Sequence, residues 1–325
     1  MGMLINGELA DSWLDKEISE GEFKRMESTF RHWVTADGSA GPSGDAGFKA
    51  EAGRYHLYVS DACPWAHRTV IFRALKKLES VISISYVEAE MLADGWTFTE
   101  EGKYQDDLFG FNYVYQLYQK ADSHFTGQIT VPILWDKKQN TIVNNESSEI
   151  IRMLNSAFND LTDDKTDYYP EALRAAIDKV NLPIYNNINN GVYRCGFSTT
   201  QKAYERAFER LFSELDNVEA ILSQQRYLVA DRLTEADWRL FTTLVRFDAV
   251  YVGHFKCNLK RIADYPNLSN YLRELYQVPG IAQTLDIDYC KRHYYVSHTT
   301  INPTQIIPKG PALDFNAPHD RDRVY

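Results

Sequence analysis

Cysteine is scarce in this chain: Cys63, Cys195, Cys257 and Cys290 are the four among 325 residues. They are scattered from the first quarter to near the end, so they form no disulfide framework and contain no C-x-x-C pair. Long apolar runs are also missing. The best candidate, residues 240–252, is broken by Arg246 and Asp248 and falls short of the ~18 residues a membrane span needs. Positive charge is in deficit: 35 Lys and Arg face 45 Asp and Glu, a net charge of −10. That balance argues against a nucleic-acid binder and fits poorly with a surface seeking anionic lipid. The opening "MGMLINGELADSW" has no basic n-region followed by an apolar stretch, so no signal peptide is expected. Asn6 stands where a myristoylation pattern wants Ser or Thr. Asn145-Glu146-Ser147 and Asn267-Leu268-Ser269 fit the glycosylation pattern, which carries weight only in a secreted protein. The expectation is a soluble cytoplasmic protein in a reducing compartment, binding neither nucleic acid nor membrane.

What is present is a globular composition, 44% hydrophobic, in a chain long enough for about two domains. Residues 1–50 lack sustained periodicity, and "TADGSAGPSGDAG" within them reads as a flexible, glycine-rich surface loop. Residues 51–160 alternate strand and helix signals in the order β-α-β-α-β-β-α. The strands are 55–60, 81–87, 129–136 and 141–143, and the helices are 69–78, 107–121 and 147–158. The first half suits a right-handed parallel crossover and the last two strands an antiparallel hairpin. Residues 161–170 are acidic, turn-rich and end in proline, as a linker would. From 171 to 290 the signals are helical, over roughly 171–189, 200–224, 234–248, 266–277 and 279–285. The clearest start is at Thr234, where Asp237 three residues on completes a cap. The tail from 291 to 325 follows, little periodicity being visible beyond 286.

The chemistry concentrates at "YVSDACPWAHR", residues 58–68. A cysteine at the first turn of a helix faces unpaired N–H groups and the positive end of the helix dipole, which favour the thiolate. Pro64 suits the first helical position, where no N–H is needed. Ala66 occupies the place of a second cysteine, so a mixed disulfide on Cys63 must be resolved by an outside thiol unless Cys195, Cys257 or Cys290 lies nearby. His67 lies one turn on, where a Cys-His hydrolase pair is conceivable, but residues four apart share a face without necessarily aiming at each other, and a structural role is the simpler one. Cys63 and His67 alone do not make a metal site.

Two further stretches extend the site. Proline inside "TVPILW" is costly in a strand unless the strand lies at an edge or the bond is special. A cis Val131-Pro132 bond would present the Val131 backbone to an extended, peptide-like ligand. In "NNESSE", Glu146 and Ser147 lie at a helix N-terminus that can hold a carboxylate, and Glu146 can accept from an ammonium. A ligand with an extended backbone and an amino-acid end fits, and glutathione is such a ligand.

With these motifs the chain resembles the cytosolic glutathione transferases, which join a thioredoxin-like α/β domain to an all-α domain. More specifically, "CPWAHR", "GWTF", "TVPILWD", "NNES", "NNGVY", "TEADWRL", "RFDAVY" and "HFKCN" resemble the glutathionyl-hydroquinone reductases, the Xi class. The likeness covers nearly the whole chain. It implies homodimers, glutathione as co-substrate, no metal, and removal of glutathione from glutathionyl-hydroquinones through a Cys63–glutathione disulfide. By the resemblance Trp96, Gln128, Ile129, Thr130 and Val131 bind glutathione, with Glu146 and Ser147 at its γ-glutamyl end. Tyr193 donates a proton to the leaving ring. Tyr251 and Tyr294 line the ring site and help lower the Cys63 pKa. One departure is Gln128, where relatives often carry Arg; if that Arg holds glutathione, affinity here is weaker or the contact comes from elsewhere. The nearest rival is an omega-class-like thiol transferase or dehydroascorbate reductase using the same cysteine, and a non-enzymatic ligand-binding protein is the alternative of another kind.

Overall fold

The computed structural model describes residues 2–10 and 18–324. Two compact units emerge. The first holds β1 (Met3–Ile5), β2 (Glu8–Ala10) and the chain from Met26 to Asp167; the second holds β3 (Ile18–Ser19), β4 (Glu22–Phe23) and the chain from Tyr168 onward.

The centre of the first unit is a four-stranded sheet made of β5 (Tyr55–Val59), β6 (Ser83–Tyr86), β8 (Ile133–Asp136) and β9 (Thr141–Asn144), in the order β6-β5-β8-β9. β5 and β6 run parallel across α1 (Pro64–Leu75), while β8 and β9 are antiparallel neighbours. β5 and β8 are buried along their whole length. α3 (Ser147–Ser156) follows β9, so the expected β-α-β and β-β-α halves are both present, and the fold is thioredoxin-like.

Two elements of this unit differ from the sequence expectation. Only Tyr115–Ala121 (α2) is helical within 107–121. The Asp106 carboxylate takes the N–H groups of Leu108 and Phe111 and the Tyr58 hydroxyl, folding the stretch ahead of α2 into turns. Gly110 there sits at φ +65°, which a helix does not allow. The second difference is at the N-terminus, where β1 pairs with β2 and with β7 (Gly127–Gln128). Strands of two and three residues are too short to show a period. The glycine-rich stretch is a closed loop, with Thr35 N–H on Phe48 O, Ala50 N–H on Thr35 O and Gly47 N–H on Gly38 O.

The second unit is helical apart from the β3–β4 hairpin. It comprises α4 (Arg174–Pro183), a π-helical turn (Ile184–Asn189), α5 (Gly191–Gly196), α6 (Gln201–Gln224), α7 (Glu235–Arg246), a second π-turn (Phe247–Tyr251), α8 (Pro266–Tyr276) and α9 (Ile287–Ser297). Every residue of α7 is buried, and Thr234 with Asp237 forms the capping box at its start. The helix expected over 279–285 reduces to a 3₁₀ turn at Ala282–Thr284, because Gly280 adopts φ +88° just before it. The stretch after 286 holds a helix instead: Asp286 caps α9 by accepting the Tyr289 N–H at 2.9 Å.

Candidate active site

Cys63 is the N-cap of α1, with Pro64 in the first turn. Its Sγ accepts the Ala66 N–H at 3.5 Å and donates to the Val131 carbonyl at 3.4 Å. Cys63 keeps partial exposure, whereas Cys195, Cys257 and Cys290 are buried. The sulfur thus combines access with a helix N-terminus, the two conditions for a reactive thiol. His67 is buried, and its backbone N–H closes the first helical bond onto Cys63 O.

The Val131-Pro132 bond is cis. The Val131 N–H has no acceptor among the described residues. The strand leading to it is fixed from the N-terminus: Gln128 lies opposite Met3, and Ile129 N–H donates to Gly2 O at 2.9 Å. Gln128 is buried, and its Nε2 has no hydrogen-bond partner among the described residues. Thr130 is held by the Tyr118 hydroxyl, which donates to Thr130 O at 2.9 Å and accepts its N–H at 3.2 Å. Trp96 is buried, its carbonyl accepting the Val114 N–H.

Glu146 caps α3, its Oε1 accepting the Ser148 N–H at 2.9 Å, while Ser28 Oγ donates to Oε2 at 3.3 Å. Ser147 is the buried first residue of that helix. Asn145 ties the turn down: its Oδ1 accepts the Phe30 N–H and its Nδ2 donates to Tyr118. The first unit therefore brings together Cys63, the Gln128–Val131 stretch and the helix N-terminus at Glu146–Ser147. Tyr118, Asn145 and Ser28 had no sequence signal, since each acts through a partner far away in the chain.

The second unit gathers the three tyrosines. The Tyr193 and Tyr294 hydroxyls are 2.7 Å apart, and those of Tyr251 and Tyr294 are 3.2 Å apart. All three are buried. They come from α5, α9 and the π-turn after α7, so the tail helix completes the cluster. Burial pushes the Tyr251 and Tyr294 phenols well above their ordinary pKa, so both stay protonated and can donate. The Phe255 ring stacks on Tyr251 with centroids 5.6 Å apart. Gly196 permits this, because a Cβ there would come within 2.1 Å of that ring. The Arg25 guanidinium lies 4.9 Å over the Tyr193 ring and donates to Asn190 Oδ1. Among the described residues no group of three or more His, Cys, Asp or Glu side chains could hold a metal ion.

A thioredoxin-like sheet presenting a helix-capping cysteine beside a cis-proline backbone, joined to an all-α unit, defines a glutathione transferase. The models for the glutathione S-transferase N-terminal and C-terminal domains match residues 62–157 and 201–274. The chain is 55% identical to glutathionyl-hydroquinone reductase YqjG of Escherichia coli K12, over 99% of both chains. It is 53% identical to glutathionyl-hydroquinone reductase PcpF of Sphingobium chlorophenolicum, over 96% of this chain and 97% of that one. The chain belongs to the Xi class of glutathione transferases, the family of these reductases. The glutathione-bound structure of YqjG superposes with a TM-score of 0.91 at 53% identity, covering 99% of each chain. The Xi-class transferase of Natrialba magadii gives a TM-score of 0.90 at 47% identity, covering 100% of this chain and 97% of the other.

Proposed function

We propose that this protein is a glutathione-dependent reductase that removes glutathione from glutathionyl-hydroquinones. The observation that carries the reading is Cys63 as a helix N-cap, its sulfur held between the Ala66 N–H and the Val131 carbonyl. The Cys63 thiolate attacks the glutathionyl sulfur. An S–S bond forms as the ring C–S bond breaks, and the electron pair goes to the ring carbon, which takes a proton from Tyr193. A second glutathione, its thiol proton restoring the Tyr193 phenol, then attacks the Cys63–glutathione disulfide, giving oxidised glutathione and the free thiolate. The sum is glutathionyl-hydroquinone plus glutathione giving hydroquinone plus oxidised glutathione.

The Val131 N–H and carbonyl pair with the cysteinyl backbone of glutathione, with Trp96, Gln128, Ile129 and Thr130 alongside. The unpartnered Gln128 Nε2 supplies a neutral donor to glutathione. Glu146 and Ser147 receive the γ-glutamyl end, the helix N-terminus favouring its carboxylate. Tyr251 and Tyr294 hold the ring as neutral donors. The protein acts as a homodimer in the cytoplasm, where its four free cysteines stay reduced. Among the described residues no helix is long and apolar enough to cross a membrane.

The test is mass spectrometry after limiting glutathionyl-hydroquinone without free glutathione. A glutathione adduct on Cys63 is expected, and its absence overturns the mechanism. A faster rate on a simple glutathione mixed disulfide than on the hydroquinone conjugate would instead mark a thiol transferase.

A further inference from the structure

Tyr118 stands on α2, away from the motifs that define the site, and its side chain is wholly enclosed. A phenol has one proton to donate and two lone pairs. Here all three are used: the hydroxyl donates to Thr130 O at 2.9 Å and accepts from Thr130 N–H and Asn145 Nδ2, both at 3.2 Å. The rings of Phe30 and Phe125 pack on it with centroids 5.9 and 5.0 Å away, which limits its freedom. Asn145 is itself anchored, because its Oδ1 takes the Phe30 N–H at 3.1 Å.

The two residues joined this way are not arbitrary. Thr130 directly precedes Val131, whose carbonyl meets the Cys63 thiol. Asn145 directly precedes Glu146, the cap of α3. One hydroxyl therefore ties the backbone beside the nucleophile to the helix terminus that would receive the far end of an extended ligand.

We propose that Tyr118 is a positioning residue that fixes the distance between the Val131 backbone and the Glu146–Ser147 helix terminus, and through that distance sets affinity for glutathione. This rests on the glutathione reading given above. Burial raises the Tyr118 pKa, so the hydroxyl keeps its proton and the pattern of one donation and two acceptances holds across the working pH range.

Tyr118→Phe removes only the hydroxyl and leaves Thr130 and Asn145 without their common partner. Asn145→Ala removes the second link while sparing the Thr130 bonds. For both variants the KM for glutathione, and its Kd by calorimetry, are expected to rise roughly tenfold, the equivalent of about 1.4 kcal/mol. The kcat at saturating glutathione should change far less than KM. A fall in melting temperature with an unchanged KM would show that Tyr118 only supports the fold and would overturn the proposal, as would equal losses in kcat and KM. If wild-type protein failed to bind glutathione by calorimetry, the proposal would fall with the glutathione reading, and the wild-type measurement would identify that reading as the cause.

Discussion

The Cys63 thiol donates to the carbonyl of Val131 at 3.4 Å, although the two residues lie 68 positions apart. The same sulfur accepts the Ala66 N–H, so the nucleophile is also the cap of its own helix. Serine is a strong N-cap. In Cys63→Ser, turnover should therefore fall by at least about 10³-fold, the scale on which a nucleophile is missed. The melting temperature should hold or rise. Paired assays of rate and thermal unfolding check this, and a destabilised variant would show that the cap geometry does not transfer from sulfur to oxygen.

Tyr193→Phe breaks the 2.7 Å contact with the Tyr294 hydroxyl and keeps the ring in place. If Tyr193 supplies the proton to the leaving ring, kcat on a glutathionyl-hydroquinone should drop by roughly 10²-fold or more. Glutathione Kd should stay within about twofold. Equal loss in both would assign Tyr193 to binding rather than proton transfer.

Stability should decline in mild acid. Burial depresses the pKa of His56 and of His254 to about 3, and pushes that of His298 well below its ordinary value. His56 sits between the Ser83 and Ser85 hydroxyls, and His254 Nε2 lies 3.0 Å from His298 Nδ1. Below about pH 6.5 the unfolded chain binds protons that these folded histidines refuse. Unfolding free energy therefore rises with pH in this range. Its contribution is present above about 6.5 and is lost as pH falls toward 3, at up to about 1.4 kcal/mol per pH unit per histidine. Urea midpoints measured from pH 8 to 4 should fall steadily, and a flat profile would contradict the neutral, buried histidines.

Asp237 accepts from the Leu228 and Thr234 N–H groups, the Thr234 hydroxyl and the Tyr271 hydroxyl. Asp237→Ala strands several buried donors at once, at roughly 1–3 kcal/mol for each group left unsatisfied. The expected outcome is a loss of at least about 3 kcal/mol in chemical denaturation. A loss below about 1 kcal/mol, the size of an ordinary N-cap, would mean that the buried donors find other partners.

Legibility followed range. Cys63 and Pro64 were readable because their meaning is local: an apolar strand, a tight turn and a helix start lie within a dozen residues. Glu146 and Ser147 were readable for the same reason, as was the Thr234–Asp237 box. The helix at Ile287–Ser297 offered a signal in the Asp286 cap, but "IDYCKRHYYVS" mixes charged and aromatic residues without a clear apolar stripe. The turns ahead of α2 depart from the helical pattern because the Asp106 carboxylate, not the local pattern, sets their path.

The sequence by itself determined that a single cysteine would sit at a helix N-terminus without an internal resolving partner, because capping and proline preferences act over a few residues. Only the tertiary structure decided that Tyr193, Tyr251 and Tyr294 share one hydroxyl cluster, and that Tyr118 joins Thr130 to Asn145. Those contacts come from helices and strands packing across large sequence separations, where the burial of each side chain selects the partner for its hydroxyl.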